Sequence, residues 1–236
     1  MTASLNQIKS VFKGRFLIEP GLLQQKLSTI RAIVFDWDGV FNNGVKNENG
    51  SSSFNEIDAM GTNLLRFNHY LVSQNNLFTA IISGEKNPLA FSFVRREHFN
   101  EIYYKIRHKA DAINHLSKFN NLKPQEIAFV FDDVLDFSAA KICGARIMIG
   151  RNSNPLLTDF AINYNLVDYI TATDGGNYAV RETVELIMAL SGKHNETIQE
   201  RMDFSDDYKR YWQMRNLIEP AFYTTDENII IQQTPQ

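Results

Sequence analysis

Val34-Phe35-Asp36-Trp37-Asp38-Gly39-Val40 decides how this chain is read. An apolar run leads into two carboxylates one residue apart, and a glycine follows. Such a pattern places Asp36 and Asp38 just past the carboxyl end of a buried strand, where open α/β sheets bind their ligands. Two acids held that close repel one another unless a cation or a reaction requires them.

Outward from this stretch, short apolar runs alternate with helical patterns. Strands are expected at Ala32–Phe35, Phe78–Ile82, Glu101–Lys105, Ile127–Phe131, Arg146–Ile149 and Asp168–Thr171. Most are continuously apolar, as in strands covered on both faces. Helices are expected at Ala59–Val72, Pro88–Phe99, Ala110–Phe119, Leu135–Cys143 and Tyr178–Leu190. In the last of these, Val180, Val184, Ile187 and Met188 form one apolar stripe. The alternation predicts an α/β fold of Rossmann-like type, a parallel sheet with helices on both faces. Asn49-Gly50, inside Gly44–Phe54, is a hairpin signal and predicts a small β-hairpin flap after the first strand. A disordered polar loop is the alternative, because Ser51-Ser52-Ser53 has little to bury.

Residues 31–191 form the expected compact unit. Residues 1–30 read as an N-terminal extension with one helix near Gly21–Leu27, and residues 192–236 as a polar C-terminal extension. Tyr208, Tyr211, Trp212, Phe222 and Tyr223 predict that this tail docks on a surface. The 236 residues carry a net charge of −3, with 44% hydrophobic and 22% charged residues. That balance gives no electrostatic reason for a nucleic-acid or membrane partner. Cys143 is the only cysteine, so no intrachain disulfide forms; its place at a helix end reads as buried and structural. No apolar run approaches the roughly 20 residues of a membrane span, and Met1–Gly14 lacks a signal-peptide core. A cytoplasmic location is expected.

Four chemistry-bearing elements fall at strand ends: Asp36-x-Asp38, Ser83-Gly84, Lys109, and Asp132-Asp133-x-x-Asp136. A parallel sheet would gather them on one edge. Each alone has a plain reading: helix capping for Asp132-Asp133, a turn for Ser83-Gly84, a solvated lysine for Lys109. Asp36–Gly39 lacks the remaining ligands of a calcium loop. Together they are complementary. One carboxylate can attack phosphorus and a second can transfer protons. Aspartates at two strand ends suit Mg²⁺. A hydroxyl, backbone N–H groups and a lysine can bind phosphoryl oxygens.

These elements resemble the haloacid dehalogenase (HAD) superfamily of phosphotransferases, whose motifs are Asp-x-Asp-x-(Thr/Val), a strand-end Ser or Thr, a Lys and an acidic cluster. The resemblance implies Asp36 as nucleophile and Asp38 as general acid/base. Ser83, Gly84 and Lys109 would bind phosphate. It implies Mg²⁺ held by Asp36, Asp132 and the backbone carbonyl of Asp38, with Asp133 or Asp136 ligating directly or orienting the metal's waters. A narrower likeness runs from about Ala32 to Gly192, carried by Phe54-Asn55-Glu56-Ile57-Asp58-Ala59-Met60-Gly61 and Gly175-Gly176-Asn177-Tyr178-Ala179-Val180-Arg181-Glu182. Both resemble the capless 3-deoxy-D-manno-octulosonate (KDO) 8-phosphate phosphatase family and its relatives acting on nonulosonate 9-phosphates. No insertion in this chain is long enough for a large cap domain. The likeness implies a homotetramer built around the flaps, a neighbour's Gly-Gly segment helping to close each site, a small phosphorylated metabolite as substrate, and Asp58, Gly175, Gly176 and Arg181 on the substrate side. For Gly175-Gly176 a plain turn is the alternative, for Arg181 a surface position.

The chain departs from the family in three places. Glu85 stands where Arg is usual, which disfavours an acidic sugar unless Lys86 substitutes. Phe131 and Ala59 replace usual glycines. Two further readings follow: a non-catalytic assembly or ligand-binding protein that keeps the fold, and a phosphatase for a different phosphosugar or a nucleotide.

Overall fold

The structure is a computed structural model that describes residues 4–227 and 229–235. The chain opens with α1 (Leu5–Val11), β1 (Arg15–Phe16) and α2 (Pro20–Ser28). The central run is β2 (Ala32–Phe35), α3 (Glu56–Ser73), β3 (Phe78–Ile82), α4 (Pro88–Arg96), β4 (Glu101–Tyr103), α5 (Lys109–Phe119) and β5 (Ile127–Phe131). There follow α6 (Phe137–Ala140), β6 (Ala145–Met148), α7 (Pro155–Asn163), β7 (Tyr169–Ile170) and α8 (Ala179–Ser191). The tail adds α9 (His194–Met202), α10 (Asp206–Asn216), β8 (Ala221–Asp226) and β9 (Ile229–Gln232).

Among the described residues the strands form one 9-stranded sheet in the order β1-β7-β6-β5-β2-β3-β4-β8-β9. It is parallel except at its two edges, where β1 pairs antiparallel with β7 and β9 with β8. From β2 the chain winds one way through β3 and β4, and the other way through β5, β6 and β7. The carboxyl end of β2 is therefore the switch point where an α/β sheet opens a crevice. Period-two alternation drives the layering. Ile33 and Phe35 of β2 face one buried cluster, Ala32 and Val34 the other. All four are at most 1% exposed.

Several local expectations shift. The 44–54 segment forms a turn, closed by Gly50 N–H to Asn47 O (2.9 Å) and Asn47 N–H to Ser51 O (2.8 Å), with no paired strands. Lys46 and Ser52 turn inward to Asp38, so polar contacts replace a ladder. Phe54 anchors the loop's end against Trp37 and Phe93. A 3₁₀ turn, Val134–Asp136, takes the first part of the helix read over Leu135–Cys143. β4 stops at Tyr103, because Lys105 adopts φ 57°. The N-terminal flank holds two helices and a strand, where the sequence showed one helix.

The C-terminal flank docks within the chain. Tyr208 and Tyr211 pack with Phe67 and Tyr70 of α3, and Phe222 enters the main core from β8. Trp212 remains 44% exposed. Cys143 is buried, and burial pushes its thiol up to about 12, which keeps it unreactive. No helix among the described residues is long and apolar enough to cross a membrane.

Candidate active site

The four strand-end elements lie along the carboxyl edge of β5-β2-β3-β4. Asp36 continues β2, its N–H donating to Val130 O at 2.9 Å. Trp37 then turns into the core at 0% exposure and stacks on Phe41, with ring centroids 5.0 Å apart. Burying Trp37 leaves the acids on either side of it free to face the crevice. Gly39 follows with φ 85°, and a Cβ there would stand 2.0 Å from Asp132 Oδ2. The close approach of the two acidic loops therefore requires glycine.

Lys109 is the hub. It begins α5 and is 2% exposed. Its Nζ lies 2.6 Å from Asp36 Oδ1 and 2.5 Å from Asp136 Oδ1. Asp136 Oδ2 accepts the backbone N–H groups of Asp132 (3.3 Å) and Asp133 (3.1 Å). This carboxylate thus fastens the β5 loop to the lysine. Burial works against the Lys109 ammonium, but Asp36 and Asp136 outweigh it and hold its pKa above the ordinary value. Burial raises the Asp36 carboxyl well above its ordinary range; Lys109 pulls it down, while Asp136 and Asp132 push it up again. Burial, then Asp136, raises Asp132 to about 6, against the pull of Arg151.

Carboxylate oxygens of Asp36, Asp132 and Asp136 lie within 4.8 Å of one another. An all-oxygen, buried, acidic donor set fits a hard divalent cation. Asp133 stands apart: its side chain is 47% exposed and one oxygen accepts Val134 N–H at 2.6 Å.

Asp38 is held from the flap. Lys46 Nζ lies 2.5 Å from its Oδ2, and Ser52 Oγ donates to its Oδ1. Asn87, at the N-cap of α4, donates to Ser52 Oγ at 3.3 Å. Ser83 is 2% exposed and continues β3, its N–H donating to Tyr103 O at 2.8 Å. Its hydroxyl accepts Glu85 N–H at 3.2 Å. Gly84 leaves open space on that loop, the nearest atom to an added Cβ being Ile106 O at 3.8 Å.

The substrate-side candidates do not join the acid cluster. Asp58 is 0% exposed and accepts Arg181 N–H (2.8 Å) and Asn55 Nδ2 (2.7 Å), which ties the start of α3 to α8. Burial raises its pKa against these bonds. The Arg181 guanidinium pairs with Glu185 at 2.7 Å. Gly175 and Gly176 pack against the Gly39–Asn43 loop of the same chain; a Cβ on Gly175 would lie 2.0 Å from Gly39 O.

The departures find local explanations. Phe131 is fully buried in the core beside Phe129 and Phe137. Ala59 is 2% exposed. Glu85 is exposed and so escapes a buried, unpaired charge.

Sequence reading missed Arg151, Lys46, Ser52 and Asn87. Arg151 lies just past β6, at the same sheet edge, with a guanidinium nitrogen 2.5 Å from Asp132 Oδ2. Its position after a strand end was a usable signal. Lys46 and Ser52 carried none, since their contact with Asp38 depends on how the flap folds back.

Fold and site together define a haloacid dehalogenase-type phosphatase. No family model matches the chain. It is 28% identical over 175 residues to the KDO 8-phosphate phosphatase of Salmonella typhi, covering 72% of this chain and 86% of that one. The solved structure of the Moraxella catarrhalis KDO 8-phosphate phosphatase, in complex with magnesium, phosphate and KDO, is 25% identical. It superposes with a TM-score of 0.62 over 76% of this chain and 97% of that one. The cobalt-bound Haemophilus influenzae phosphatase, at 23% identity, shares the fold with a TM-score of 0.61 over 74% of this chain and 99% of that one. In sequence and in fold the chain is similar to haloacid dehalogenase-type phosphatases of the KDO 8-phosphate kind.

Proposed function

We propose that the chain is a magnesium-dependent phosphomonoesterase that works through an aspartyl-phosphate on a phosphorylated sugar acid, such as KDO 8-phosphate or a nonulosonate 9-phosphate. One observation carries this reading: Lys109 holds Asp36 and Asp136 together at 2.6 and 2.5 Å, beside Asp132, at the switch point of the sheet.

In this reading a carboxylate oxygen of Asp36 attacks phosphorus. The O–P bond to the sugar breaks, and Asp38 gives its proton to the leaving oxygen. Asp38 then takes a proton from the water that attacks the aspartyl-phosphate, returning Asp36 and releasing phosphate. Ser83, the Gly84 backbone and Lys109 bind the phosphoryl oxygens as charge shifts among them. Asp36, Asp132 and the Asp38 carbonyl would hold Mg²⁺, with Asp136 in closer support than Asp133; the ion would supply positive charge at the phosphoryl group. Lys46 and Ser52 aim Asp38. Asp58 and Arg181 act indirectly, by fixing the helices behind the flap.

The sugar acid is supported by the names of the relatives. Residues 31–191 are taken as the catalytic domain, with 1–30 and 192–236 as flanks. A homotetramer is supported by Val45 of the flap and Ile57 and Met60 of α3, which are 67%, 46% and 43% exposed. A cytoplasmic location belongs to the same proposal. The test is phosphate release from sugar-acid, sugar and nucleotide monophosphates, with Mg²⁺ and with chelator, beside Asp36→Asn. Metal-dependent release that Asp36→Asn abolishes supports the chemistry. Preference for a nucleotide would overturn the substrate.

A further inference from the structure

We propose that Arg151 is an exchangeable counter-ion: it holds Asp132 in the metal-free protein and passes to a carboxylate of the substrate when a divalent cation takes Asp132. The inference rests on the phosphatase reading above and adds to it a residue that binds the substrate's acid group.

Arg151 places one guanidinium nitrogen 2.5 Å from Asp132 Oδ2 and another 3.9 Å from Asp133 Oδ2. The side chain is 28% exposed, so part of the group still meets solvent. An added Cβ on Gly39 would come within 2.6 Å of Arg151 Nη2, so the guanidinium lies against the Asp36–Gly39 loop. It stands beside the reacting carboxylates.

Charge explains why the contact is exchangeable. Asp36, Asp132, Asp133 and Asp136 are faced by two cations, Lys109 and Arg151. Lys109 is buried and bridges two acids, so it is fixed. Arg151 is partly open and touches Asp132 from the rim. A cation and a guanidinium on one carboxylate repel one another, and the more mobile group gives way.

Chemistry suggests where it goes. A guanidinium is a rigid fork that matches carboxylate bidentately. The β3 loop carries an exposed anion, Glu85, which would repel a substrate carboxylate. Arg151 offers a cation on the β6 side of the Asp loop.

The test begins with Mn²⁺ titration of the full chain, read by electron paramagnetic resonance without turnover, for wild type, Arg151→Gln, Arg151→Lys and Asp132→Asn. Thermal melts confirm that each variant is folded. Arg151→Gln is expected to bind Mn²⁺ about five- to tenfold more tightly, since a charge-assisted contact that competes is gone. Arg151→Lys, lacking the fork, falls between. Asp132→Asn loses tight binding. At saturating metal, KM for KDO 8-phosphate is expected to rise about tenfold in Arg151→Gln, with KM for p-nitrophenyl phosphate, which has no carboxylate, unchanged. Equal or weaker Mn²⁺ binding in Arg151→Gln would overturn the proposal, as would the same KM change on both phosphates. Absence of turnover in wild type would sink the phosphatase reading instead, while the Mn²⁺ titration would still decide the exchange at Asp132.

Discussion

Lys109 Nζ stands 2.6 Å from Asp36 Oδ1, with both side chains almost wholly buried. The pair joins the end of β2 to the start of α5, and Asp136 completes the bridge to β5. A single ammonium thus sets the distance between Asp36, the proposed nucleophile, and the β5 loop that would hold metal.

Lys109→Met should therefore strip two buried carboxylates of their counter-ion. Removing one partner of a buried pair costs about 3–5 kcal/mol. Denaturant unfolding should show a loss of that order in chelator, and phosphate release should fall by about 10²–10³. A variant as stable as wild type would mean that Lys109 is more solvated than the structure shows.

The metal-free protein should lose stability as pH rises from 4 to 7. Asp132 has a folded pKa of about 6 against an ordinary value of 3.8, and Asp36 is raised as well. The folded state therefore binds more protons than the unfolded chain in this window. Their contribution is fully present below the ordinary value and is lost as pH passes through about 6. Melts at pH 5 and pH 7.5 in chelator should show the drop. Added Mg²⁺ should raise the melting temperature more at pH 7.5, where the carboxylates are free to bind it; a hundredfold excess over Kd corresponds to about 2.7 kcal/mol of stabilisation. Equal Mg²⁺ effects at both pH values would refute this coupling.

Two glycines near the site should respond very differently to alanine. Gly44 has φ 80° and nothing within 4 Å of an added Cβ; Gly44→Ala should cost about 1–2 kcal/mol of backbone strain and leave turnover nearly intact. A Cβ on Gly175 meets Gly39 O at 2.0 Å and Asn42 O at 2.4 Å. Gly175→Ala should push the Asp loop, lowering kcat at least about tenfold for a displacement worth 1.4 kcal/mol or more. Similar kcat values for both variants would argue against the packing of Gly175 on that loop.

Lys46→Met should lower kcat while leaving the melting temperature within about 2 °C, because partly exposed ion pairs add little stability. Ser52→Ala should act in the same direction. Both remove hydrogen bonds that aim Asp38. A pure KM effect would instead assign these residues to substrate binding.

Much of the site was legible before folding. Asp36, Ser83 and Asp132 each follow an apolar run, Lys109 opens the helix after β4, and a parallel sheet has only one carboxyl edge on which to place them. Asp58 and Arg181 were legible as a pair of motifs but not as a pair of contacts; their bond runs from a carboxylate to a backbone N–H, which no residue type signals. The flap was read from Asn49-Gly50 as a hairpin. The turn formed, but the ladder did not, because Lys46 and Ser52 found Asp38.

By itself the sequence determined the alternation of strands and helices, the strand-end chemistry and the buried place of Cys143, because hydrophobic period and local turn chemistry act within a few residues. Tertiary structure alone decided that Asp136, not Asp133, sits with Asp36 and Asp132, that Arg151 faces Asp132, and that β1, β8 and β9 extend the sheet. Those outcomes depend on side chains brought together from distant elements, where burial and charge at a few ångströms select among partners that the order of residues leaves equivalent.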